Sequence, residues 1–109
     1  MSNGFVHRVG TETDGSCNAI KDLRQAGRDY AEADTTYRRV VAQETLRLKA
    51  RGMAVGLIDK AIFDNEEVSN ALFRRDMTDV MVTACKETIN ALKVRIAVIR
   101  DQLAREYGR

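Results

Sequence analysis

Residues 82–103, VTACKETINALKVRIAVIRDQL, decide the fold. Val82, Ile89, Ile96 and Leu103 recur at every seventh position, and Cys85, Leu92 and Ile99 repeat that interval three positions later. Alternating steps of three and four place these side chains on one stripe of an α-helix, the seam along which one helix packs on another. Val68, Ala71 and Thr78 carry the seam toward the amino end, with Arg75 interrupting it. Beside it runs a second line, Met77, Ala84, Ala91 and Val98, so the apolar face is wider than one partner helix covers. A second subunit is the expected occupant of the remainder, which predicts a homodimer.

Outward from this segment, nothing breaks the helix from about residue 65 to residue 107. Asp64, three residues before Glu67, resembles a capping box at its start, with Asp in place of Ser or Thr. Leu57, Ile58, Ala61 and Ile62 have helical spacing, enough for a short helix over about 56–63. Before it, Gly52 follows Lys49 and Arg51, the pattern of a helix carboxyl end with its closing glycine. The helix so closed reaches back to Ser16, a plausible N-cap, and carries Leu23, Tyr30 and Tyr37 at spacing seven beside Ala19, Ala26, Ala33 and Val40. Ile20, Val41 and Leu48 widen that stripe. Residues 1–15, with three glycines and no period, read as a flexible leader.

Two long amphipathic helices joined by a short one, in a chain without proline, predict an all-α domain. Its expected form is a long, coiled-coil-like antiparallel helical hairpin with the short helix at the tip and helices at about 16–51, 56–63 and 65–107. If residue 51 lies opposite residue 66, paired positions add to about 117, within a turn. Tyr37 then falls near Val80 to Val82, and Tyr30 near Glu87 to Ile89.

Hydrophobic residues at 44% and charged residues at 31% mark a folded, charge-rich chain rather than a disordered one. No segment resembles a signal peptide, and no apolar run approaches the ~20 residues that span a bilayer. A soluble, cytoplasmic protein is expected. The catalytic inventory is poor. His7, the only histidine, lies in the leader, and Cys17 and Cys85 form no C-x-x-C pair. Cys85 sits on the seam as a small buried hydrophobe. Cys17 stands at a helix amino end, where a thiol pKa can fall, yet reads as a tolerated surface residue. Metal-ligand spacings and phosphate-cradling glycine loops are missing from the sequence. No enzyme, catalytic residue, cofactor or metal is expected.

Charge distribution is more informative than the net +2. Residues 38–51 hold Arg38, Arg39, Arg47, Lys49 and Arg51 against Glu44 alone, while residues 1–37 and 52–77 are each net acidic. Arg39, Gln43, Arg47 and Arg51 follow one another at steps of four, a basic ridge beside the apolar stripe. In the expected hairpin, Arg74 and Arg75 come close to Arg47 and Arg51. Arg39, Arg47, Arg51, Arg74 and Arg75 are therefore candidate partner-binding residues, for phosphates or an acidic protein surface. The plain alternative is a solvated face. No aromatic is interleaved with them, which argues against base stacking.

One resemblance narrows the choice. Tyr30 and Tyr37, Gly52, the runs Leu72-Phe73-Arg74-Arg75-Asp76 and Ile89-Asn90-Ala91-Leu92-Lys93, and the terminal Arg105-Glu106-Tyr107-Gly108 resemble small all-helical proteins of bacteriophages and prophages. The resemblance covers roughly residues 25–109 and carries over no site residue. Proteins of this size and source include anti-CRISPR inhibitors of Cas9, and others sit among recombination genes. It implies a non-enzymatic phage protein acting in the cytoplasm of a bacterial host cell. The expected function is inhibition of a host defence nuclease such as Cas9. The alternatives are a DNA-binding recombination accessory, which would contact nucleic acid through the basic ridge, and a structural coiled-coil adaptor.

Overall fold

The computed structural model describes the backbone of residues 2–108 and the side chains of residues 18–108. Helix α1 is Ser2–Ala50, α2 is Val55–Ala61 followed by a single 3-10 turn over Ile62–Asp64, and α3 is Glu66–Tyr107. Helix α1 packs along α3 in an extended hairpin, with α2 and the 3-10 turn at the closed end. The expected leader, with His7, and the cap at Ser16 fall where side chains lie outside the described residues; the helical span includes Ser16 rather than opening at it.

The seam of α1 steps through Ala19, Leu23, Ala26, Tyr30, Ala33, Tyr37 and Val40 to Glu44, all buried or half-buried. That of α3 runs from Val68 and Ala71 through Arg75, Thr78, Val82, Cys85, Ile89 and Leu92. Ala19, Ala26 and Ala33, all buried, fill the α1 side of the seam with small side chains. At the closed end Leu48, Ile58 and Ile62 form a buried cluster with Val41, Met53 and Ala61 against it.

Gly52 explains how α1 ends. Its φ of 82° is the left-handed conformation that favours glycine. The Gly52 N–H donates to the Lys49 carbonyl at 3.0 Å and the Met53 N–H to the Leu48 carbonyl at 3.2 Å. These two bonds close the helix as a Schellman motif, whose usual apolar contact is supplied here by Met53 packing against the cluster of Leu48, Ile58 and Ile62.

Two expectations need correction. Helix α3 is capped by Asn65, not Asp64: the Asn65 backbone is extended, and its Oδ1 accepts from the N–H groups of Glu67 at 2.8 Å and Val68 at 3.4 Å. Asp64 belongs to the 3-10 turn and is unavailable for that role. The register also differs. Asn65 meets Glu44 and Arg75 meets Asp34, so paired positions add to about 109 rather than 117. The cause is the closed end, where α2 and the 3-10 turn fold back beneath the last turns of α1. Helix α3 therefore starts opposite Glu44 instead of opposite residue 51.

Candidate functional site

The polar contacts that set this register consume charges that otherwise count toward the basic ridge. Glu44 follows Tyr37 by seven residues and so occupies a seam position, where it is only 5% exposed. A buried carboxylate must be paired. The Arg47 guanidinium donates to both Glu44 oxygens, through Nε at 2.9 Å and through its terminal nitrogen. The Asn65 amide donates to the same carboxylate at 2.8 Å. The hydrogen bond from Arg47 holds the Glu44 carboxyl below its ordinary range, aided by Asn65 and the charges of Arg47 and Arg51 and opposed by burial.

Asn65 thus does two jobs that only an amide combines, accepting from α3 and donating to Glu44. Asn65→Asp keeps a good N-cap but sets a second carboxylate against Glu44. It is expected to melt below the parent at neutral pH in circular-dichroism scans. Glu44 itself, with its folded pKa depressed, contributes stability that is present above the ordinary glutamate pKa of ~4.3 and lost as pH falls through the folded value. The gap between Asn65→Asp and parent should therefore narrow as pH falls below the ordinary glutamate range and the carboxyls protonate. An equal or higher melting temperature for Asn65→Asp at pH 7 would contradict this assignment.

A second polar station lies farther along. The Arg75 guanidinium sits over the Tyr37 ring, 4.4 Å from its centroid, and 3.9 Å from the Asp34 carboxylate, which also takes Arg38 at 3.0 Å. Arg75 interrupts the apolar seam, but its cation stacks on an aromatic face and pairs with an acid. Arg74 lines a cleft with Asp29 and Glu32 of α1.

The five candidate arginines are therefore not brought together. Arg47 is bound to Glu44 and Arg75 to Tyr37 and Asp34. From the level of Asp34 to Arg51 is about 25 Å at ~1.5 Å per residue, so the α3 arginines do not join a patch around Arg47 and Arg51. Arg39 and Arg51 remain exposed at the surface of α1.

A different basic surface takes their place. On the side of α1 turned away from the seam, Lys21, Arg24, Arg28, Arg39 and Lys49 are all exposed, with Glu32 as the acid among them. The acids Asp22 and Asp29 lie instead on the flank toward α3, beside Thr78 and Cys85. This basic line extends about 42 Å from Lys21 to Lys49 at ~1.5 Å per residue. Segment totals conceal it, because residues 1–37 are net acidic while Asp22 and Asp29 occupy a different side of the helix from Lys21, Arg24 and Arg28. Sorting charges by heptad position would have revealed it.

The fold is that of an antiparallel helical hairpin. No protein family, curated protein or solved structure matches this chain.

Proposed function

We propose that the chain acts without catalysis, by binding a protein partner along the outer face of α1, and that the partner is a host defence nuclease of the Cas9 kind, which the binding inhibits. The observation that carries the binding surface is the exposed basic line of Lys21, Arg24, Arg28, Arg39 and Lys49. The nuclease as target rests on the resemblance of residues 25–109 to phage-encoded proteins. A basic helix cannot imitate DNA in a positively charged channel. It is complementary to the carboxylate clusters by which nucleases hold catalytic metal ions. A second reading, a DNA-binding accessory, is favoured by the same face, which would contact phosphates rather than bases because no aromatic is interleaved.

Cleavage of labelled DNA by guide-loaded Cas9, with purified chain added, tests the proposal beside direct DNA binding measured at several salt concentrations. Inhibited cleavage without direct DNA binding supports the inhibitor. Strong, salt-sensitive DNA binding with unimpaired cleavage overturns it in favour of the accessory.

A further inference from the structure

Helix α3 carries two seams. The first faces α1. The second lies on the opposite side and steps by four and three through Phe73, Met77, Val80, Ala84, Glu87, Ala91, Val94 and Val98, every one of them exposed. Phe73 is 67% and Val94 65% exposed, and Val80 and Val98 are also more than half exposed. The corresponding side of α1 is polar and basic apart from Leu46, so the hairpin has one largely wettable outer face and one apolar outer face. Only Glu87 interrupts the apolar one.

The hairpin alone is also short of a core. Among the described residues, four of the nine buried apolar side chains are alanines. Its radius of gyration is 23.3 Å, where a compact chain of this length has about 13 Å. Its accessible surface is 8660 Å², against roughly 6100 Å² for a compact monomer of 12.2 kDa. The excess of about 2600 Å² exceeds the ~800 Å² per partner that a standard interface buries.

We propose that the second seam of α3 pairs with the same seam of a second copy, antiparallel, about a two-fold axis near its midpoint. A repeating seam on a straight helix is self-complementary under that operation, and the stretch from Phe73 to Val98 supplies about 38 Å of contact at ~1.5 Å per residue. Charge selects the direction. Toward the amino end of α3, Glu66, Glu67, Asp76 and Asp79 outnumber Arg74 and Arg75; toward the carboxyl end, Lys93, Arg95, Arg100 and Arg105 outnumber Asp101 and Glu106. Antiparallel pairing sets the acidic end of each helix on the basic end of the other, whereas parallel pairing sets like on like. The alanines flanking Glu87 let the backbones approach near the axis. Glu87 itself is a polar interruption of the kind that fixes register at a cost in affinity. In the dimer each α3 lies between its own α1 and the partner's α3. The two closed ends then point in opposite directions about 60 Å apart at ~1.5 Å per residue, and both basic faces of α1 remain outermost.

Light scattering on the eluting full chain at 10–100 µM, concentrations on the order of those at which ~µM affinities register, is expected to give twice 12.2 kDa. The double substitution Ala84→Lys with Ala91→Lys, on the side away from α1, is expected to give the single-chain mass with unchanged helical circular dichroism. Glu87→Leu is expected to tighten the dimer. In a background of Cys17→Ser and Cys85→Ala, chains carrying Phe73→Cys mixed with chains carrying Val98→Cys should form the mixed disulfide in preference to either symmetric one. A monomer for the unsubstituted chain at 100 µM, a lysine double variant that stays dimeric, or preferential Phe73→Cys self-pairing would each overturn the proposal. The nuclease assay reads a different face, so failure of the dimer and failure of the proposed function are separately visible.

Discussion

Ile58→Ala is expected to lower the unfolding free energy by about 2–5 kcal/mol, the range for deleting a fully buried isoleucine side chain down to its β-carbon. Ile58 is 3% exposed and packs with Leu48 and Ile62, a buried cluster that joins α2 and the 3-10 turn to the end of α1. Leu48, Ile62, Val41 and Met53 pack around Ile58, and the removal of three carbons from that cluster leaves a cavity they can fill only in part. The loss is a large share of the ~5–15 kcal/mol that stabilises an ordinary domain. It should also loosen the register, since the cluster holds α2 beneath the end of α1. Urea denaturation followed by circular dichroism checks the value. A midpoint within experimental error of the parent's would show that the closed end does not anchor the hairpin.

Reversing the basic face should have the other large effect. Arg24→Glu, Arg28→Glu and Arg39→Glu together replace three exposed cations and leave the seam untouched. A charge-assisted hydrogen bond contributes ~1.5–3 kcal/mol, so losing even two should weaken partner binding by more than about a hundredfold. Helical content should stay constant, because none of the three is a seam residue. Arg47→Glu provides the contrast: it strips Glu44 of its guanidinium and adds a second carboxylate, so it should lower stability before it reports on binding. Interferometry against Cas9 as the proposed partner, run beside thermal melts, separates the two kinds of loss. Full affinity in the folded triple variant would reduce the face to a solvated surface.

The sequence showed the two long helices through intervals of seven and the end of α1 through Gly52, because both signals are local. Register could not be read that way. Sliding one apolar heptad line along another by seven residues maps it onto itself, so periodicity is nearly indifferent between paired sums differing by a heptad. What decides is polar chemistry at a few positions, Glu44 with Asn65 and Arg75 with Asp34 and Tyr37, together with the fold-back of α2. Glu44 was visible in principle, since Leu23, Tyr30, Tyr37 and Glu44 form one line at spacing seven. A carboxylate there looks like an isolated acid in a basic segment until its partner across the turn is known. The arginine ridge failed to cohere for the same reason, because its convergence depended on the register. The second α3 seam was half legible as Met77, Ala84, Ala91 and Val98. Its other half, Phe73, Val80 and Val94, stands out only once the buried side of α3 is fixed.

Register is also where the account is most exposed to test. Nuclear Overhauser contacts from the Tyr37 ring protons, measured on the uniformly labelled full chain, report directly on what lies opposite that residue. The structure predicts cross-peaks from the Tyr37 ring to the side-chain methylenes of Arg75, shifted upfield by the ring 4.4 Å from the guanidinium carbon. Cross-peaks from Tyr37 to the methyl groups of Val80 or Val82, with none to Arg75, would contradict it and restore the longer register.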